Sequence, residues 1–155
     1  TSAGGMVGLG DLRGGGFFSQ AHGVTDDGSV VVGFGTSASG QEAFRWTSAE
    51  GMVGLGDLPG GGVFSQAHGV SADGHKIIGI SQAGTGHRPF LWDSTHGMRD
   101  LQMVLETEQG LATQLAGWSL IEAWAISADG STIVGYGRNP VGKHEGWRAQ
   151  LTHKP

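Results

Sequence analysis

The chain repeats itself, and this internal repetition constrains its fold more than any other feature of the sequence. Residues 6–24 read MVGLGDLRGGGFFSQAHGV, and residues 52–70, at an offset of 46 residues, read MVGLGDLPGGGVFSQAHGV. A third and more divergent copy begins at Met98 and ends with residues 145–148, EGWR. Self-similarity at a fixed period indicates a repeat architecture, in which each copy is one supersecondary unit that packs against its neighbours.

The repeats define the domain organisation. We treat residues 1–155 as a single repeat domain with repeat units of about 6–51, 52–97 and 98–151. The third unit carries an insertion of about residues 102–119, which interrupts the β pattern and has the leucine spacing of a short helix or of two turns. The insertion is either a lid over one face or a local decoration. The atypical character of terminal repeats favours the second interpretation.

Each repeat contains four short stretches with strand character. In the first complete copy they are separated by an Asp-Gly turn, a Ser/Gly loop and a Glu-Gly turn, and they span residues 19–24, 29–35, 42–47 and 52–58. Four short antiparallel strands in a unit of about 40 to 50 residues are typical of a β-propeller blade. We therefore predict an all-β fold made of β-propeller blades of four antiparallel strands, with three blades per chain.

The order of the strands indicates an open ring. Residues 6–12 match the fourth strand of a blade, so the order starts with an isolated fourth strand and ends with a third blade that lacks one. Three blades are too few for a closed propeller, which needs at least about four. The ring is therefore completed either by a second copy of the chain, in a six-bladed homodimer that exchanges fourth strands, or by missing repeats of a longer chain.

Charge and composition argue against several partners. The net charge is −5, and the nine lysine and arginine residues are scattered singly, so no basic stripe is available to bind nucleic acid. No apolar run approaches the roughly 18 to 20 residues of a membrane span, so we expect no membrane insertion. The chain has no cysteine and no acidic loop with calcium-ligand spacing, and we expect neither a metal site nor a cofactor.

The spelling of the repeats resembles a known family. The segments GMVGLGDLPGGGVFSQAHGVSADG (residues 51–74), VVVGFG (residues 30–35) and EAFRW (residues 42–46) are similar to the bacterial extracellular repeats called HAF. The resemblance covers nearly the whole chain and implies a location outside a bacterial cell or on its surface. It carries over no catalytic residues. Two departures from the pattern are Trp124, where the earlier copies have histidine, and the insertion.

Two histidines occupy equivalent positions in the first two repeats. His22 and His68 are expected to lie near each other, because they start from the same place in adjacent units. Paired imidazoles could bind a metal or a ligand. Alternation places each of them on a strand face with an apolar residue, Val24 or Val70, however, so a buried histidine that donates to a backbone or turn acceptor is the favoured interpretation.

Aromatic residues recur once per repeat on the third strand. Trp46 and Trp92 are candidate ligand-binding residues, since the apolar face of a sugar ring covers an aromatic ring well. Packing between units is the alternative, and we favour it for Phe44, Phe90 and Trp147. Trp46 and Trp92 are expected on the opposite sheet face from those three residues.

Near identity between repeats favours binding over catalysis. Catalysis requires different residues in different roles at one place, and no constellation of carboxylates is evident among the few acidic residues outside turns. We therefore expect a non-enzymatic extracellular binding or adhesion module that presents repeated, equivalent pockets, with a glycan as one candidate ligand. The alternatives are a structural scaffold or spacer within a larger exported protein and, less favoured, a propeller enzyme that acts on polysaccharide.

Overall fold

The expected all-β class is confirmed. The computed structural model describes residues 4–152, and within them strands account for 55% of the chain and helix for 5%. In chain order, the strands and the helix of the described residues are β1 (Gly14–Val24), β2 (Val31–Ser37), β3 (Gly40–Thr47), β4 (Gly51–Gly54), β5 (Gly60–Val70), β6 (Ile77–Ala83), β7 (Gly86–Asp93), β8 (Gly97–Asp100), α1 (Leu101–Thr107), β9 (Ser119–Ile126), β10 (Thr132–Arg138) and β11 (His144–Gln150).

The strands form three antiparallel units, each of which follows the chain order. Unit 1 comprises β1 to β4, unit 2 comprises β5 to β8, and unit 3 comprises β9 to β11. A single parallel pair, Gln41 with Phe64, joins units 1 and 2 at their edges. In unit 3 the third strand, β11, has β10 on one side and no described strand on the other.

In every unit, hydrogen bonds to an aspartate carboxylate stabilise the turn of the first hairpin. In unit 1 the Asp27 carboxylate accepts hydrogen bonds from the Ser29 backbone N–H at 3.0 Å and from the Thr25 hydroxyl at 2.7 Å. These hydrogen bonds lower the pKa of Asp27 to about 2, and the bond from the Ser29 N–H makes the largest contribution. Asp73 and Asp129 accept equivalent bonds in units 2 and 3. The Asp-Gly signals in the sequence therefore mark hairpin turns.

The apolar residues are buried between units. One core lies at the junction of units 1 and 2, and its buried members are Val30, Val32, Ala43, Leu55, Leu58, Ala67, Ile77 and Phe90. The other lies between unit 2, helix α1 and unit 3, and its buried members are Ile78, Leu91, Leu101, Val104, Leu105, Leu120, Ala123, Ile133, Ala149 and Leu151. A single twisted sheet cannot bury its own faces, so each unit depends on its neighbour.

Glycine on the middle strand makes room for a large aromatic side chain on the next strand. Gly79 pairs with Phe90, and Gly135 pairs with Trp147. A Cβ atom at Gly79 would lie 1.9 Å from the Gln66 carbonyl oxygen and 2.9 Å from the Phe90 ring. Both glycines lie beside a register shift in the ladder to the first strand, where the backbones approach closely.

One predicted strand is wrong. Residues 6–12 form no strand, although residues 51–54 of the matching segment form β4. The side chains of Met6 and Val7 are 98% and 77% exposed. A strand is stable only when its backbone groups find a partner, and no described strand lies beside this segment.

The helix α1 in this region is shorter than the leucine pattern of the insertion predicts, and it begins earlier in the chain. Helix α1 starts at Leu101 because the Asp100 carboxylate accepts the Met103 N–H and caps it. Turns follow up to Trp118. Among the described residues, no helix is long and apolar enough to span a membrane.

The glycine positions lead to a stability prediction. Gly79→Ala is expected to lower the free energy of unfolding by about 1 to 3 kcal/mol or more, because the new Cβ overlaps the Gln66 carbonyl. Gly62→Ala is the control, since a Cβ there meets nothing within 4 Å. Urea unfolding of the two variants measures the difference, and equal midpoints would contradict the packing described here.

Candidate functional site

A cleft of about 310 Å³ opens at the junction of units 1 and 2. Unit 1 contributes the end of β3, its turn and β4, and unit 2 contributes its first hairpin turn and the end of β7. The lining residues are Arg45, Glu50, Val53, Gly54, Leu55, Gly74, His75, Trp92 and Ser94. The cleft thus combines an aromatic side chain and aliphatic residues with an arginine, a carboxylate, an imidazole and a hydroxyl group.

Strand pairing fixes the two largest side chains of this cleft. Trp92 stands opposite Ile77 on β6 and is half-buried against the core between the units. Arg45 stands opposite Val53 on β4, and its Nη1 donates to Glu50 Oε2 at 3.3 Å. This ion pair lies at the rim, because the Glu50 side chain is mostly exposed. The ion pair therefore orients the Arg45 side chain in the cleft.

Trp46 and Trp92 occupy equivalent positions in separate units and do not share a cleft. Trp46 stands opposite Val31, as Trp92 stands opposite Ile77. The expectation that these tryptophans lie on the opposite sheet face from the phenylalanines is wrong. Phe44 stands opposite Gly33, two positions along the same regular ladder, and residues two apart on a strand share a face.

A second arrangement runs across the first strands of the three units. His22 on β1, His68 on β5 and Trp124 on β9 form what we call the first-strand row. The ring centroids of His22 and His68 are 5.5 Å apart, and those of His68 and Trp124 are 4.5 Å apart with nearly parallel planes. The row places the two histidines together, as the sequence predicts, and continues onto a tryptophan.

Both histidines of the row contact the backbone of the following unit. His22 Nδ1 lies 3.1 Å from the Ala67 carbonyl oxygen, and His68 Nδ1 lies 3.0 Å from that of Ala123. A carbonyl oxygen can only accept, so each Nδ1 carries a hydrogen. His68 is buried and His22 is exposed. The row therefore links neighbouring units at their first strands.

Glu122 lies buried beside His68. The distance from Glu122 Oε1 to His68 Nε2 is 3.5 Å. Burial raises the pKa of Glu122, and burial also lowers the pKa of His68, with His22 contributing to that decrease and the Ala123 carbonyl opposing it. Both directions favour neutral partners. Burial of the two side chains therefore weakens this contact as an ion pair.

Sequence reasoning missed three features of these sites. Trp124 stacks on His68, which only the packing of two units reveals. Glu122 occupies the position held by Gln20 and Gln66 in the earlier copies, and a comparison of the three repeats could have drawn attention to this difference. The insertion also builds two apolar clefts, of about 490 Å³ between α1 and unit 2 and about 600 Å³ along β11.

Two triple-glycine segments of the repeats, residues 14–16 and 60–62, have a structural role. The triple-glycine segments form the first residues of β1 and β5, where Gly14 and Gly60 adopt φ angles of 90° and 91° that favour glycine. Within residues 4–152, no group of three or more potential metal-ligating side chains is gathered in one place.

The Glu122 contact leads to a prediction with a defined pH dependence. A raised pKa adds stability below about 4.5, the usual pKa of a glutamic acid, and that stability is lost as the pH rises through the folded-state pKa. Glu122→Gln, which restores the residue type of the other units, is therefore expected to raise the melting temperature at pH 7. The gain should shrink as the pH falls towards 4.

Thermal unfolding at a series of pH values tests this expectation. Glu145→Gln is the control, because Glu145 is exposed on β11. If Glu122→Gln destabilised the protein most at pH 7, a charged Glu122 would be favourable in the fold, which would contradict the pKa increase caused by burial.

Comparison with known proteins shows a likeness of fold. The chain is similar to part of the crystal structure of TolB from Acinetobacter baumannii, with a TM-score of 0.58 and 14% sequence identity over 90% of this chain. The chain spans 31% of the length of that protein. No protein-family model matches the sequence, and no curated protein matches it.

Proposed function

We propose that the three units are blades of a β-propeller and that the chain is a carbohydrate-binding module, with the cleft around Trp92 as its binding site. The observation that carries this proposal is the combination of one half-buried tryptophan with polar side chains in a cleft between units. The resemblance of the repeats to the HAF family supports a role outside a bacterial cell or on its surface.

The arrangement of the units supports the propeller. Antiparallel units that follow the chain order pack face to face, with their first strands side by side in the row from His22 to Trp124. Propeller blades are arranged in this way around an axis. The solved structure with a similar fold, TolB, is a β-propeller. Three units alone leave such a ring open.

The chemistry of the cleft suits a sugar ring. One face of a pyranose carries C–H groups that pack well on an indole ring, and its edge carries hydroxyl groups that need donors and acceptors. Trp92 provides the indole, while Arg45 and Glu50 provide a donor and an acceptor at the rim. The volume of about 310 Å³ lies at the small end of the range of ligand pockets, as expected for a small ligand such as a sugar.

The residues of the cleft recur only in part in the other units. The strand registers make Arg45 equivalent to Leu91 and Arg148, and they make Trp92 equivalent to Trp46 and Ala149. The cleft needs the arginine of one unit and the tryptophan of the next, so within the described residues the pair is complete at the junction of units 1 and 2 and is absent at the junction of units 2 and 3. Avidity from repeated weak sites would therefore require further junctions of the first kind.

Mutagenesis of the cleft tests the proposed function. Trp92→Ala is expected to weaken binding of soluble bacterial and plant-type oligosaccharides by about tenfold or more, since buried aromatic anchors dominate such sites. Arg45→Ala provides a second variant, which removes the guanidinium group that donates to Glu50 in the cleft. A glycan array identifies the ligand, and isothermal titration calorimetry measures its affinity.

Trp124→Ala is the matched control, since Trp124 is a 54% exposed tryptophan outside the cleft. Retained binding in this variant, together with loss in Trp92→Ala, supports the cleft. The reverse result would move the site to the first-strand row, and the absence of any glycan ligand for the folded wild-type protein would refute a carbohydrate-binding role.

A further inference from the structure

The third unit has an open edge where the other two have a fourth strand. Strand β3 pairs with β4 and β7 pairs with β8, but β11, which follows the same register in its unit, has no described partner on that side. The backbone groups along this edge are therefore free to pair with another strand. An apolar cleft of about 600 Å³ lies along the same edge.

A strand with the right sequence is present at the other end of the described chain. Residues 6–12 read MVGLGDL, and residues 52–58, which supply β4 and the connection after it, read the same. Residues 6–12 form no strand, and the side chains of Met6 and Val7 are almost fully exposed. This segment therefore has the residues of a fourth strand without the neighbour that a fourth strand needs.

The second half of that segment is already held as it would be in a completed assembly. The Ser65 hydroxyl donates to the Gly56 carbonyl at 2.6 Å, where the chain crosses from unit 1 to unit 2. The Ser19 hydroxyl donates to the Gly10 carbonyl at 2.7 Å in the same way. Gly10 and Gly56 also share the same backbone conformation, with φ angles of 85° and 80°. Residues 6–9 thus project towards the place that a preceding unit would occupy.

The outer faces of the end units are uncovered as well. Val134 in unit 3 is 38% exposed, whereas Ile78, its equivalent by register in unit 2, is fully buried. Val24 at the opposite end of the stack is exposed, whereas its equivalent Val70 packs against the core between units 1 and 2. By register, these two faces correspond in position to the two sides of one junction between units.

We infer that the open edge of β11 binds residues 6–8 of a second copy of this chain as its fourth strand. The β3–β4 register places Val53 opposite Arg45 and Met52 opposite Trp46. By the same register, Val7 of the second copy stands opposite Arg148, and Met6 stands opposite Ala149. Reciprocal exchange joins two chains of three units into a closed ring of six, within the usual range for propellers.

The exchange also completes a second binding cleft, a consequence that rests on the proposed function. At the new junction Arg148 of one copy and Trp46 of the other take the places of Arg45 and Trp92. Val7, Gly8 and Leu9 take the places of Val53, Gly54 and Leu55. The cleft around Trp46 is therefore assembled from two chains and does not exist in one.

Cysteine cross-linking tests the register, and the chain has no cysteine of its own. Separate chains carrying Val7→Cys and Arg148→Cys are mixed and oxidised, and we expect a disulfide-linked dimer because directly opposed residues on antiparallel strands meet the distance requirement. Met6→Cys mixed with Arg148→Cys is the control, because that pair lies on opposite faces. All three positions are exposed, so folding is not at issue.

Light scattering completes the test without any ligand, so its failure is separate from a failure of carbohydrate binding. The wild-type protein is expected at twice 15.9 kDa, and the double variant with Met6→Pro and Val7→Pro at 15.9 kDa. The two prolines remove both N–H groups, one of which must face β11. A monomeric wild type, a dimer that survives the prolines, or equal cross-linking of both cysteine pairs would overturn the inference.

Discussion

The structure depends on the burial of sheet faces between units. One core joins Val32 and Ala43 of unit 1 to Ile77 and Phe90 of unit 2. These residues are buried because the neighbouring unit packs against their sheet. The stability of each unit is therefore a property of its neighbours, as in other repeat proteins. A stack of this kind has two end faces that no further unit of the described chain covers. Val24 and Val134 lie on these end faces and are exposed.

The same constraint places the candidate sites at the junctions between units. The cleft around Trp92 exists because two units meet with a gap between the end of one third strand and the hairpin turn of the next. The first-strand row arises in the same way, since His22 and His68 each reach the backbone of the following unit. The chemical surroundings of residues at equivalent positions in the repeats therefore depend on how the units pack against each other.

The periodicity of the sequence predicted the local structure of each repeat, but it did not predict the features that depend on contacts between units. The repeats and Asp-Gly turns located the hairpins, because turn chemistry is written in adjacent residues such as Asp27 and Gly28. Residues 6–12 failed as a strand, since pairing depends on a partner that no local pattern reveals. The same limit hid the stacking of Trp124 on His68. The positions of Trp46 and Trp92 were found, but their sheet face was assigned wrongly, although strand alternation alone places residues two apart, such as Phe44 and Trp46, on one face.

Native-state hydrogen exchange on the middle strands tests the central claim, that every unit is covered on both faces in the working protein. In the single chain, residues 77–81 of β6 are all buried, whereas several residues of β10 are not. If the assembly is closed, the amides of β2, β6 and β10 are expected to show similar protection from exchange. The sheet that contains each of these strands then lies between two neighbouring units. Markedly faster exchange in β2 and β10 than in β6 at high protein concentration would contradict the account.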